Sequence, residues 1–283
     1  MNCVPMPSVE LSILIVYMSG ARIARQTLRN LRRIAPLCSF EIIVVDNNAK
    51  MGFGRVLAKE FPEIRYIPMD NNRGFGTAMN VGIQAAKGEM VLIFNPDLAP
   101  NPGSLDLMLE RFKADATIGI LAPKLQNPDG TLQHSIFAYH TLLIPVLSRT
   151  FLGKTSWGKK KLADFQLHHC DHTVTQDVDW AMGSALLAWK KDLLALHGFD
   201  EQFFMYYEDA DLCRRMHGMG KRVVYFPEAC MIHYHRRASA DGSFIRQILN
   251  PLTWQHIRSA LLYAKKYRHG RSTETQVQET VVT

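Results

Sequence analysis

The sequence predicts an α/β protein built on a mostly parallel central sheet with helices on both faces. Two observations carry this. Four apolar runs of strand length, 11–16, 41–45, 64–69 and 90–94, fall in the first part of the chain, and stretches of helical spacing lie among them. Strands that are apolar throughout, rather than alternating, belong to parallel sheets covered on both sides.

The elements follow in order. Residues 11–16 (LSILIV) make the first strand, and 22–34 a helix through Ile23, Leu28 and Leu31. A second strand, 41–45, ends at Asp46; a third, weaker one spans 64–69. Residues 75–87 read as a helix closed by Gly88, 90–94 as a fourth strand ending at Asn95, and 102–113 as a helix with Pro102 at its start. Beyond Ala122 the rhythm changes. Asn127-Pro128-Asp129-Gly130 marks a turn, and 140–176, without a clear period, reads as a long, partly mobile loop region or a short helix pair. The apolar run 178–189 contains Gly183; 209–217 reads as a helix ending at Gly218 or Gly220. Strands at 223–226 and 229–233 surround Pro227, an amphipathic helix spans 252–267, and the polar tail 272–283 is expected to be disordered.

The chain has 283 residues and is 47% hydrophobic, enough for a sizeable core. It contains no apolar run of membrane-spanning length and no basic, signal-like start, so the expected address is cytoplasmic. Five scattered cysteines fit reduced thiols. The net charge of +7 is uneven: 149–161 carries +5 and 236–271 carries +7, which leaves −5 for the remainder. Such segments suit an anionic partner; neither shows a nucleic-acid recognition motif, and anionic lipid fits at least as well, with a solvated basic face as the alternative.

Chemistry is expected beyond the carboxyl ends of the strands. Asp46-Asn47-Asn48, the stretch 70–76 (DNNRGFG) and Asn95-Pro96-Asp97 all gather there. Asp46 suits hydrogen bonds to a base or ribose, Asn72 and Gly74 suit close backbone approach to a ligand, and Asp97 is a hard oxygen ligand for Mg²⁺ or Mn²⁺. Any one cluster reads equally as a turn; three at one edge read as a site. No Gly-x-Gly-x-x-Gly follows the first strand and no Walker-type loop occurs. Further on, Glu208, Asp209 and Asp211 crowd the start of a helix beside Phe204, Tyr206 and Tyr207. Acids there satisfy the helix dipole, and equally a partly desolvated carboxylate serves as a general base. The cluster His168-His169-Cys170-Asp171-His172 matches no closed zinc spacing, and His233 and His235 share a face after a strand.

Three runs carry a family resemblance: Asp46-Asn47-Asn48, 72–82 (NRGFGTAMNVG) with Asn95-Pro96-Asp97, and 198–215 (GFDEQFFMYYEDADLCRR) with 183–187 and 233–239. They resemble the inverting glycosyltransferase family 2, and most of all its bacterial rhamnosyltransferase branch. The resemblance implies a GT-A fold, a divalent cation (Mg²⁺ or Mn²⁺) and displacement at the anomeric carbon of a nucleotide sugar, with dTDP-L-rhamnose as the expected donor. It implies that Asp46 contacts the base, Asp97 and His233 bind the metal, and Asp209 is the general base. Glu208 and Asp211 would orient that base or bind acceptor. Tyr17, Asn48, Asn72, Gly74, Asn80 and Asn95 would complete the donor site. Asn95 stands where the family's Asp-x-Asp motif has its first acid, and Tyr17-Met18-Ser19-Gly20 departs from the family's usual first-strand ending. The acceptor would be a saccharide, lipid-linked in bacterial cell-surface polysaccharide synthesis, with a peripheral contact to anionic membrane through the basic segments. The implied layout is a catalytic domain over 1–240 (donor half 1–125, acceptor half 126–240), a basic helical segment 241–271 and the tail. Two other readings stay open: a transferase using a UDP- or GDP-hexose, and a catalytically silent nucleotide-sugar-binding scaffold.

Overall fold

The computed structural model describes residues 8–18, 21–141, 143–234 and 250–268. Ser19, Gly20, Leu142, the run 235–239 and the tail 272–283 lie outside the described residues. Strands β1 (Leu11–Tyr17), β2 (Phe40–Asp46), β3 (Ile64–Pro68) and β4 (Met90–Phe94) form a parallel half-sheet in the order β3-β2-β1-β4. Every residue of β1 and β4 is buried, as two-sided coverage demands. The apolar strand residues each contribute about 1.5–3 kcal/mol by leaving water.

The second half of the sheet is mixed. β11 (Ala185–Trp189) runs antiparallel between β4 and β6 (Ile118–Gln126), and β6 pairs in parallel with β12 (Arg222–His233). The three-residue β5 (Leu98–Pro100) lies antiparallel to the end of β12. Short strands β7 (Leu132–Gln133) and β9 (Gln176–Asp177) extend it, while β8 (Ile136–Phe137) and β10 (Trp180–Ala181) pair with each other.

Helices cover both faces. On one, α1 (Ala21–Arg33), α2 (Phe53–Glu60) and α4 (Ser104–Ala114) bury Ala24, Leu28, Leu31, Leu57, Met108 and Phe112. On the other, α3 (Phe75–Ala85), α7 (Lys190–Ala195), α8 (Glu208–Gly218) and the C-terminal α9 (Pro251–Lys266) bury Met79, Ile83, Leu193, Leu212, Met216 and Tyr263. Between β8 and β9 the aperiodic stretch is a short helix pair, α5 (Leu143–Arg149) and α6 (Ser156–Phe165).

Three sequence expectations change in detail. The third helix stops at Ala85, because Ala86 turns extended (φ −57°, ψ 139°), so Gly88 is not its cap. Gly88 instead lies against β1, where a Cβ would stand 2.6 Å from the Ser12 amide. The two strands around Pro227 are one irregular strand, with its register to β6 shifting between Phe226 and Cys230. Helix α2 had no sequence signal, since glycines at 52 and 54 flank its first residue.

Candidate active site

Register alone brings the first group together. Tyr17 and Asp46 are cross-strand partners at the ends of β1 and β2, and Asp46 pairs onward with Pro68. Asp46 is buried; its Oδ2 accepts from the Tyr66 hydroxyl (2.7 Å) and its Oδ1 from the Asn48 amide (3.1 Å). Burial and the Asp46 charge push the Tyr66 hydroxyl up to about 12. Gly54 makes room for the carboxylate, because a Cβ there would stand 2.1 Å from Asp46 Oδ2. The Tyr17 hydroxyl is buried with no hydrogen-bond partner among the described residues, and burial first, then Asp46, raises its pKa. An orphaned buried hydroxyl beside a carboxylate at a strand end marks a place where a ligand completes the bonding.

Asn47, absent from the candidate residues, organises the next loop. Its Nδ2 donates to Asn72 Oδ1 and Gly74 O, both at 3.0 Å, and its Oδ1 accepts from the Arg73 amide (3.0 Å). Asn72 Oδ1 also accepts from the Gly74 amide (3.0 Å). Gly74 holds φ +91°, and a Cβ would stand 2.4 Å from Phe204 O, so only glycine lets the loop meet the 198–207 segment. Asn80 sits elsewhere: its side chain brackets the turn after α7, donating to Phe199 O (2.9 Å) and accepting from the Phe199 amide (2.8 Å). These bonds make it a clasp between α3 and that turn.

At the end of β4 the chain turns through Asn95-Pro96-Asp97, and the Thr27 hydroxyl donates to Pro96 O (2.7 Å). The antiparallel pairing of β5 with β12 sets His233 opposite Leu98, next to Asp97. His233 Nε2 lies 3.2 Å from Asp97 Oδ1, and its Nδ1 lies 2.8 Å from Gln133 Oε1. Both ring nitrogens of His233 thus face oxygen atoms, Gln133 Oε1 on one side and the Asp97 carboxylate on the other. With the ring neutral and its proton on Nδ1, Nε2 and the Asp97 oxygen are close enough to share a cation. Oxygen and imidazole donors suit Mn²⁺, and one or two protein ligands suffice where diphosphate and water supply the rest. The donor set therefore fits a divalent cation. Among the described residues no group of three or more His, Cys, Asp or Glu could hold a metal unaided.

The acids of α8 divide by their contacts. Tyr206 and Tyr207 both hold φ +70° immediately before the helix, a conformation non-glycine residues adopt at a cost and often at functional sites. Asp209 Oδ2 accepts from the Gly183 amide (3.0 Å) and Oδ1 from the Ala210 amide (2.9 Å). Burial raises its pKa, and these two amides oppose the rise. Glu208 is buried with Oε2 unpartnered, and burial, then the Asp209 charge, raises its pKa well above the usual range. Asp211 is committed to the C-terminal helix, with its carboxylate on Arg215 (2.7 Å), Lys266 (2.6 Å) and the Tyr267 hydroxyl (2.7 Å). Those partners make it an anchor for α9.

The loop histidines form a third cluster: His168 stacks on His134 at 4.3 Å between ring centroids, and His172 meets His134 edge-on at 5.3 Å. His140 is half-buried and packs on Tyr207, Trp180 and Phe165; desolvation there lowers it to about 3, so it stays neutral.

A parallel half-sheet with ligand-facing strand ends, continued by a mixed half carrying acids and a histidine, defines a GT-A nucleotide-sugar fold. GalNAc-T7, solved with UDP, GalNAc and Mn²⁺, shares it at a TM-score of 0.64, with 14% identity over 92% of this chain and 50% of that one. The mannosyltransferase PcManGT from Pyrobaculum calidifontis, solved with GDP-Man and Mn²⁺, aligns at 0.54 with 17% identity, covering 91% and 75%. The chain belongs to glycosyltransferase family 2: residues 12–171 match the family described as glycosyl transferase family 2. Similar relatives are the N-acetylglucosaminyl-diphospho-decaprenol L-rhamnosyltransferase of Mycobacterium tuberculosis, 30% identical over 213 residues, and the rhamnosyltransferase WbbL of Escherichia coli, 26% identical over 240. The first match covers 68% of this chain and 66% of the relative, so the chain spans about two thirds of that protein; the second covers 81% and 83%. The family match ends before Gly183, so Asp209 and His233 lie beyond it.

Proposed function

We propose that the chain transfers L-rhamnose from dTDP-L-rhamnose to a hydroxyl of a lipid-linked saccharide, with inversion, in cell-surface polysaccharide synthesis. The observation that carries this is one strut of two residues. Ser184 O accepts from the Asn95 amide (2.8 Å) while the adjoining Gly183 amide donates to Asp209 (3.0 Å). The strand-end turn with Asp97 and the helix-start base are thereby fixed to the same point of the sheet. Holding a donor and an attacking group in line removes much of the entropic barrier to their reaction.

In the proposed reaction the acceptor hydroxyl gives its proton to the Asp209 carboxylate as its oxygen bonds the anomeric carbon. The bond from that carbon to the diphosphate oxygen breaks, and the electron pair leaves with the nucleoside diphosphate. Asp46 and Tyr17 hold the base, with Asn48, Asn72, Gly74 and Asn95 around the donor. Asp97 and His233 would hold a divalent cation, which when bound offsets charge on the leaving diphosphate. Glu208 keeps Asp209 company as a neutral acid. In the proposed layout 1–125 is the donor half and 126–240 the acceptor half.

The donor assignment rests on likeness to the two rhamnosyltransferases, and a donor panel tests it. Nucleoside diphosphate release should be greatest from dTDP-rhamnose. Turnover of UDP-glucose, UDP-galactose or GDP-mannose with none of dTDP-rhamnose would overturn it, and donor binding without release would favour the silent scaffold.

Exposure on the acceptor side favours a peripheral membrane contact as well. Phe151 is 75% and Trp157 53% exposed, and Val146 and Leu152 are exposed beside them. Lys154, Lys159, Lys160 and Lys161 are exposed in the same stretch of chain. Apolar side chains among cations are the composition of an interfacial anchor. No helix among the described residues is long and apolar enough to cross a membrane.

A further inference from the structure

We propose that the groove between α1 and the end of α2 is a phosphate-binding site for ligands carrying two or more phosphoryl groups. The groove is an open cavity of about 780 Å³ lined by Arg22, Arg25, Arg29, Arg32, Glu60 and Phe61, with Gln26 between them. The charge tally by segments hides it: α1 carries five arginines and no acid, within a remainder that sums to −5. Spacings of three, four and three residues put Arg22, Arg25, Arg29 and Arg32 on one helical face, over roughly 15 Å at 1.5 Å per residue.

The four guanidinium groups are not equivalent. Arg25 is gripped by both Glu60 oxygens (2.5 and 2.7 Å), and Arg32 by Glu63 (2.6 Å) while lying 4.9 Å over the Phe61 ring. Arg22 and Arg29 have no acidic side chain in ion-pair contact among the described residues. Two cations are thus pre-oriented and two are available, and like charges three and four residues apart on a helix repel one another. With Glu60 and Glu63 each holding one of the four arginines, two positive charges are left unpaired along the groove. A ligand with several phosphoryl groups offsets that repulsion, and the planar guanidinium fork binds phosphate oxygens in pairs. A single anion spans too little of the face to meet both free arginines.

The groove is separate from the reaction site. It lies on the sheet face of α1 and α2, opposite α3 and α8, and none of its side chains hydrogen-bonds to Asp46, Asp97 or Asp209 among the described residues. Its near end adjoins the nucleotide pocket, since the Arg25 charge acts on the buried Tyr17 hydroxyl. The proposal does not depend on which sugar is transferred.

The test uses the full chain in EDTA, so that metal-dependent donor binding is silent. Calorimetry with inorganic tripolyphosphate and flotation with phosphatidylglycerol or phosphatidylcholine vesicles are run on wild type and on Arg22→Gln/Arg29→Gln. Both arginines lie outside the ion pairs, so the variant should fold, which circular dichroism checks; Arg22→Lys/Arg29→Lys keeps the charge if it does not. Saturable tripolyphosphate binding, weakened at least about tenfold in the Gln variant (about 1.4 kcal/mol), supports a soluble phosphate ligand. Phosphatidylglycerol-specific flotation lost in that variant, without tripolyphosphate saturation, supports lipid headgroups as the source. A Lys159→Gln/Lys160→Gln control should leave tripolyphosphate binding unchanged. The proposal is overturned if wild type binds neither probe, or if the Gln variant binds whichever probe wild type binds as tightly as wild type does.

Discussion

Glu208 and Asp209 are consecutive at the start of α8, yet Asp209 accepts the amide protons of Gly183 and Ala210 while Glu208 Oε2 finds no partner. Burial raises both acids, but only Asp209 has external amides favouring its charged form, so the pair's proton resides on Glu208. The consequence for stability has a definite sign. An acid whose folded pKa lies above its unfolded value binds the proton more tightly when folded. Its contribution is fully present below the ordinary carboxylate range and is lost as pH rises from there through the folded value. Glu208→Gln removes that loss without changing shape. Its melting temperature should match wild type near about pH 4 and exceed it increasingly toward neutral pH. A wild-type advantage that grows with pH would show that Glu208 is charged in the fold.

The Asp46 pocket should be intolerant of a single methyl group. Gly54→Ala places a carbon 2.1 Å from Asp46 Oδ2 and 2.8 Å from the Tyr66 ring. Overpacking of this kind costs about 1–3 kcal/mol, and the displaced carboxylate should also weaken donor binding. Tyr66→Phe removes one hydrogen bond to a buried charge, worth about 1.5–3 kcal/mol, and leaves the space intact. Denaturant unfolding beside donor titration checks both. Gly54→Ala with wild-type stability and donor affinity would mean that the carboxylate is free to move.

The exposed helix pair makes its own prediction. Phe151→Ser/Trp157→Ser should reduce binding to anionic vesicles without altering transfer to a soluble acceptor, because neither side chain is part of the core. Lys159→Gln/Lys160→Gln should lose about 1 kcal/mol per residue, and more visibly at low salt. Flotation of wild type that is independent of both salt and anionic lipid would remove the membrane contact.

Much of this architecture is legible in the sequence, for a physical reason. Parallel strands buried on both faces are continuous apolar runs, so β1, β2 and β4 declare themselves, and their ends place Asp46 and Asn95-Pro96-Asp97 at one edge. The acids at 208–211 are visible as a cluster, but their division is not. Asp211 differs from its neighbours only because α9, some fifty residues on, brings Lys266 and Tyr267 to it. Asn80, given a donor-site role by the family resemblance, holds Phe199 from within α3, a contact 119 residues away. Asn47 carries no signal separating it from Asn48; only the geometry of the 70–74 loop shows which amide organises it. Gly54 has its reason in the Asp46 carboxylate, which a Cβ would meet at 2.1 Å, and Gly183 in close packing on Asp209, whose Cβ would stand 3.1 Å away. Pairings over such separations have no local signature.

Asp97 and Asp209 should fail in different ways when replaced. Asp97 lies 3.2 Å from His233 Nε2 in the pair proposed to hold the cation, which would in turn meet the donor diphosphate. Asp97→Ala should therefore weaken metal-dependent donor binding and transfer together. The Asp209 oxygens are on the Gly183 and Ala210 amides. Asp209→Asn keeps the shape and one acceptor oxygen but cannot take a proton at neutral pH. Donor affinity should stay near the wild-type value, while transfer falls about 10²–10⁴-fold, the usual contribution of a general base. Because burial raises the Asp209 pKa, the wild-type rate should climb as pH rises through it, and that limb should vanish in the Asn variant. Calorimetry of donor binding beside single-turnover transfer separates the two effects. Near-native transfer by Asp209→Asn would remove it as the base and leave Glu208 as the acid placed to take over, since Asp211 is held by Arg215 and Lys266.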